Sequence, residues 1–167
     1  SGQTATALGR KTTASGIESL AAGSYSTASG SRSMALGSNA VASGRSALAL
    51  GNLVTASGIY STALGANATT NDKAGSFVIG DFSNGIDAVN SSTDNEFSAR
   101  FAGGYRLFSN SAMTSGVFMA AGGNGWQVIS DSTKKEGFRP ANGAQFLQKI
   151  AGMRLGSWNY RGQDSKT

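Results

Sequence analysis

The residues able to do covalent chemistry gather in one stretch, Ser130-Asp131-Ser132-Thr133-Lys134-Lys135-Glu136. The chain contains no histidine and no cysteine. That excludes Ser-His-Asp triads, thiol nucleophiles, disulfides, and zinc held by imidazole or thiolate. What survives is a serine activated by a lysine amine, which acts as a base only when neutral, a state that burial or a neighbouring cation favours. Lys134 beside Lys135 pushes in that direction and Asp131 opposes it. On spacing alone, Ser130-Asp131 also reads as a turn, and the adjacent lysines as a solvated face. The glycine-rich Gly122-Gly123-Asn124-Gly125 lacks the following Lys-Ser/Thr and the helix start of a phosphate cradle, so it reads as a hairpin turn.

The elements that must carry these residues are set by a repeat. Gly2, Gly9, Gly16, Gly23, Gly30, Gly37, Gly44, Gly51, Gly58 and Gly65 follow an unbroken spacing of seven, and from Gly9 onward alanine stands two residues before each. Just before the glycine, Leu8, Leu36, Leu50 and Leu64 alternate with Ser15, Ser29, Ser43 and Ser57, so the true unit is 14 residues. A coiled coil is excluded, because a glycine in every heptad costs about 1 kcal/mol relative to alanine and no second large apolar position accompanies it. In an extended chain, residues two apart share a face. The alanine and the small residue two places earlier, such as Ser19, Ser33 or Val54, therefore point the same way, and glycine marks the corner.

Two strands and two corners make one coil of a parallel β-roll. Its interior of Ala, Ser and Thr buries little apolar area, and tyrosines 25 and 60 are the only aromatics before Ala66. Leu8, Leu36, Leu50 and Leu64, with Leu20, Met34, Val41 and Leu48 nearby, form an apolar ridge suited to packing on identical ridges around a threefold axis. A homotrimer follows as the expectation. The repeat also admits two other readings, a stiff spacer and a hydroxyl array of Thr6, Thr13, Thr27, Thr55 and Thr62.

Three segments are expected: repeats over 1–82, a connector and β-rich segment over 83–129, and a distinct segment over 130–167. Residues 83–96 are polar and turn-rich. Phe97–Phe101 and Tyr105–Phe108 alternate around Gly103-Gly104 and predict a hairpin, and Gly116–Ala121 with Trp126–Ile129 predict two more strands. Asn142, followed by Gln145, Phe146, Leu147, Lys149, Ile150 and Gly152, carries the cap, apolar stripe and stop of a short α-helix. The start at Ser1 and the polar end at Thr167 read as those of a piece cut from a longer protein.

The units Thr6-Ala7-Leu8-Gly9, Met34-Ala35-Leu36-Gly37, Leu48-Ala49-Leu50-Gly51 and Thr62-Ala63-Leu64-Gly65 resemble the head repeats of YadA-like trimeric autotransporter adhesins. Gly75–Asp81 resembles the unit that closes such heads. The resemblance implies a mainly β fold, a left-handed parallel β-roll within a homotrimer. A second resemblance covers Phe97 to Tyr160. Phe97–Phe108, Ser130-Asp131 with Lys135, and Trp158-Asn159-Tyr160 are similar to the entrance of the intramolecular chaperone of endosialidase-type tail spikes, the peptidase S74 family. It implies a C-terminal domain that directs trimerisation and then cuts itself off, with Ser130 as nucleophile, Lys135 as base, Asp131 in support, and Ile129-Ser130 as the scissile bond.

Charge is uneven: +3 over residues 1–70, −2 over 71–129 and +4 over 130–167. Arg10, Lys11, Arg32 and Arg45 are scattered rather than clustered with stacking aromatics, which argues against nucleic acid as a partner. No stretch approaches the roughly 20 apolar residues of a spanning helix, so no membrane insertion is expected in this segment. No cofactor or metal is called for. The expected partners are two further copies of the chain and a cell-surface receptor, glycan or protein. The expected location is extracellular, on a virion or injection-system tail fibre or on a bacterial surface.

Overall fold

The computed structural model describes residues 2–83, 87–129, 137, 139–154 and 156. The fold is mainly β, a parallel solenoid of about five turns with about 14 residues per turn, plus one short helix. One wall is built from β1 (Thr6–Arg10), β3 (Leu20–Ser24), β5 (Met34–Ser38), the start of β7 (Leu48–Ala56), the start of β8 (Thr62–Thr69), β9 (Phe77–Gly80) and β11 (Phe97–Arg100). The opposite wall comprises β2 (Thr13–Ala14), β4 (Thr27–Ala28), β6 (Val41–Ala42), the later parts of β7 and β8, and β10 (Val89–Asn90).

The register repeats the sequence ruler. Thr6 pairs with Leu20, Leu20 with Met34, Met34 with Leu48 and Leu48 with Thr62. Each rung is tied to the next by backbone bonds such as Leu20 N to Ser33 O at 3.0 Å and Met34 N to Ala47 O at 2.9 Å. Inside, Ala21, Ala28, Ala35, Ala42, Ala49, Ala56 and Ala63 are fully buried, as are Ser26, Ser33, Val54 and Ser61. Among the described residues, no fully buried side chain is larger than valine. Rung-to-rung hydrogen bonds, rather than apolar volume, therefore dominate the interior.

The corners refine the sequence reading. Glycine is required by close approach, since a Cβ on Gly44 would lie 2.0 Å from the carbonyl oxygen of Gly58 on the next coil, and at Gly9, Gly23, Gly37, Gly51 and Gly65 also by a φ between 88° and 139°. A non-glycine residue in the left-handed conformation follows two positions later at each corner, at Thr4, Lys11, Glu18, Tyr25, Arg32, Asn39, Ser46, Leu53, Tyr60 and Asn67, with φ between 49° and 59°. Such a conformation costs about 1 kcal/mol or more for a residue with a Cβ, and it is held here by the ladder on both sides.

Beyond β8 the spacing loosens. Thr62 pairs with Phe77, and Phe77 with Phe97. Thr70, fully buried, accepts from the backbone N–H groups of Ser57 at 2.9 Å and Gly58 at 3.1 Å, which seals the interior where the 14-residue rule ends. The Phe97–Arg100 segment is the last rung of the solenoid and not one arm of a hairpin, contrary to the sequence expectation. It pairs in parallel with β9, and the Phe77 and Phe97 rings stack at 5.9 Å. Local alternation is the same in a hairpin arm and in a rung, so the sequence pattern does not distinguish them.

A second sheet orders β12 (Gly104–Phe108), β13 (Gly116–Ala120) and β14 (Gln127–Val128) as an antiparallel meander. Its first turn is closed by Asn110, whose Oδ1 accepts from Thr114 N and Ser115 N at 2.9 and 3.0 Å. The chain divides into two compact units, residues 1–129 and 130–167. In the second lies α1 (Gly143–Ala151), capped as expected: Asn142 Oδ1 accepts from Ala144 N at 3.1 Å and Gln145 N at 3.3 Å. No helix among the described residues is long and apolar enough to cross a membrane.

Candidate functional site

The solenoid presents two walls of opposite chemistry. Outward positions of one wall form two apolar columns in register, Leu20-Met34-Leu48 continuing past Thr62 to Phe77 and Phe97, and Leu8-Ala22-Leu36-Leu50-Leu64-Ile79. These side chains face outward because the intervening alanines fill the interior. Leu8 is 69% and Leu50 46% exposed, while Leu36 and Leu64 are half-buried. The structure thus brings Leu8, Leu36, Leu50 and Leu64 into one line, broken only by Ala22. An unpaired apolar strip of this length is exceptional on a single chain in water. The other wall reads Thr-Ala-Ser-Gly or Val-Ala-Ser-Gly in each coil. Its outward columns are Thr13-Thr27-Val41-Thr55-Thr69 and the aligned serines 15, 29, 43 and 57. The threonines of the hydroxyl-array reading are therefore split, with Thr6 and Thr62 on the apolar wall.

The apolar wall runs into an aromatic groove of about 610 Å³ between its last rungs and the second sheet, lined by Ile79, Phe97, Phe101, Tyr105, Met119 and Trp126. Phe101 meets Tyr105 edge-on at 5.6 Å, and Tyr105 lies 6.1 Å from Trp126. Sequence reasoning missed this groove, since the hairpin expectation pairs Phe97 with the Tyr105 strand, whereas Phe97 stands in a parallel rung beside Phe77.

Two carboxylates fix the end of the wall. Asp81 accepts from the Ser83 hydroxyl, the Ala102 backbone N–H and Arg100 Nε, the last at 3.1 Å, and these bonds hold its pKa well below the usual carboxylate range, the Ser83 bond contributing most. Glu96 accepts from the Ser98 hydroxyl and from the hydroxyl and N–H of Ser92 and the N–H of Thr93. Its pKa falls to about 2, with the Ser98 bond the largest cause. Both carboxylates are structural clasps, each held by several donors among the described residues.

Of the candidate catalytic group, Ser130, Asp131 and Lys135 lie outside the described residues. Ile129 is half-buried, lines a groove with Phe108, Met113 and Phe118, and its N–H donates to Gly116 O at 2.9 Å.

Comparison with known proteins accords with the register. Residues 1–26, 28–53 and 56–83 match the YadA head domain repeat (2 copies). The coils of the solenoid are thus similar to YadA head repeats, a similarity that suggests an attachment function of the trimeric autotransporter adhesin type and a surface-exposed location. No curated protein matches the chain.

Proposed function

We propose that the chain is part of a homotrimeric attachment fibre whose rolls pack through the wall bearing Leu8, Leu36, Leu50 and Leu64, and which engages a cell-surface receptor. The observation that carries this reading is the in-register alignment of two apolar columns, interrupted only at Ala22 and Thr62, on one wall against a hydroxyl-bearing wall opposite. Each leucine fully removed from water contributes about 2 kcal/mol, so a shared seam supplies the apolar burial that the alanine interior lacks. Identical walls meeting around a closed axis satisfy all copies equally. Because the chain is cysteine-free, a single Leu50→Cys substitution tests the seam. Mild oxidation is expected to link neighbouring chains, whereas Ser43→Cys on the opposite wall is expected not to link them. Equal linkage from both positions contradicts the seam.

The second part of the proposal is that residues 130–167 begin an assembly domain of the peptidase S74 type. The sequence motif supports it, together with the capped helix whose Phe146, Leu147 and Ile150 stripe is exposed. In this reading Lys135, neutral, takes the proton of the Ser130 hydroxyl as its oxygen attacks the Ile129 carbonyl carbon. The amide nitrogen of Ser130 leaves with a proton, and water then hydrolyses the Ile129 ester, restoring the hydroxyl. Parallel rungs from three chains need registration before they zip, and cleavage makes the assembled state kinetically irreversible. Mass spectrometry of a freshly made full-length precursor is expected to show a new N-terminus at Ser130, absent in Ser130→Ala and Lys135→Ala. A precursor that stays intact in all three removes autoproteolysis. The fibre then acts as a shaft or adhesin alone.

A further inference from the structure

We propose that the corner formed by Arg10, Lys11 and Tyr25 binds the acidic groups, sulfate or carboxylate, of a polysaccharide. This names the receptor chemistry of the attachment function and rests on that reading. The Arg10 guanidinium carbon lies 4.5 Å from the centre of the Tyr25 ring and Lys11 Nζ 5.2 Å from it. Two cations held against one ring repel each other, and the ring's attraction for each fixes them in place. Among the described residues the one ion pair joins Arg100 and Asp81, so neither charge at this corner is neutralised from within. An anion shared between them relieves the repulsion at a site already organised to receive it.

The surroundings favour a saccharide. Lys11, Tyr25 and Asn39 occupy the same left-handed corner position on three successive coils, with φ of 54°, 56° and 52°. Tyr25 N donates to Arg10 O, and Asn39 N to Ser24 O, both at 2.9 Å, so the three coils are locked in step. Asn39 also reaches Ser38 Oγ at 3.2 Å. Next to the cations, the track along the roll therefore carries amide and hydroxyl groups suited to sugar hydroxyls, at the rung spacing of about 4.8 Å. Tyr25 is already engaged by cations and does not offer the open aromatic platform on which single-stranded nucleic acid stacks. The opposite corner lacks the pairing: Arg45 alone lies over Tyr60, at 5.2 Å.

The test is salt elution of the whole chain from immobilised heparin, rich in sulfate, and alginate, rich in carboxylate, with single-stranded DNA as a third matrix. Retention on at least one polysaccharide is expected, with affinity about tenfold lower for the Arg10→Gln/Lys11→Gln double variant and about threefold lower for Tyr25→Leu. The charge-matched Arg32→Gln/Arg45→Gln variant is expected to elute with the parent chain. Circular dichroism checks that each variant keeps the roll. Equal loss from both double variants, no loss from the first, or equal retention and equal loss on DNA overturns the proposal. Adhesion of chain-coated beads to cells is measured in parallel. Adhesion without polysaccharide retention overturns this site alone, whereas retention without adhesion overturns the attachment reading and leaves the site standing.

Discussion

A Cβ built on Gly37 would lie 2.0 Å from the carbonyl oxygen of Gly51 in the coil above it. Backbone stands against backbone at this point, and φ at Gly37 is +133°, where side chains are rarely tolerated. Gly37→Ala is therefore expected to lower stability by about 3 kcal/mol or more. Gly125→Ala, whose Cβ meets open space, is expected to stay within about 0.5 kcal/mol of the parent. Denaturant unfolding of the two variants side by side checks the contrast.

The walls predict a polarity scan. Leu36→Asp with Leu50→Asp places charge on the apolar column, and Thr27→Asp with Ser29→Asp places it on the hydroxyl wall. The first pair is expected to dissociate the chains and, because the seam supplies burial that the alanine interior lacks, to lower the melting temperature of the roll's β signature. The second pair is expected to change neither property. Sedimentation together with circular dichroism gives both readings.

Acid should loosen the clasp at the end of the roll. Glu96 has its pKa lowered from 4.5 to about 2 in the folded chain. Its contribution is thus fully present above about pH 4.5 and is lost as pH falls through about 2. Glu96→Gln is expected to flatten the decline in stability over that window and to start from a lower plateau at neutral pH. Unfolding curves between pH 7 and 2 decide it, and an unchanged slope in the variant contradicts the clasp.

The short helix depends on its cap. Nine residues are too few for independent helical stability in water, and Asn142 Oδ1 satisfies two of its free N–H groups. Asn142→Ala is expected to cost about 1 kcal/mol of helix stability. The loss is read as weaker helical chemical shifts over residues 143–151.

Much of this architecture was legible from spacing. The glycine ruler set the coil length, the alanine column set the interior, and the Leu/Ser alternation before the glycines separated the two walls, because a period of 14 maps each position onto one column. The left-handed corners were not legible: Thr4, Lys11, Glu18, Tyr25 and Leu53 share a backbone conformation but no chemistry. The pairing of Phe97 with Phe77 was also hidden, since a rung separated by an irregular insertion has no periodic mark. The Tyr25 corner is hidden in the sequence for a related reason. Arg10 and Lys11 look isolated along the chain, and only stacking of coils brings the ring of the next coil to them.

The mass of the intact chain in solution, measured by light scattering at micromolar concentration, tests most directly whether the apolar walls are shared. Three copies of a 16.9 kDa chain are expected to scatter as a single species of about 51 kDa. A folded, monodisperse particle with the mass of one chain would show that the exposed leucine column needs no partner and would contradict the account.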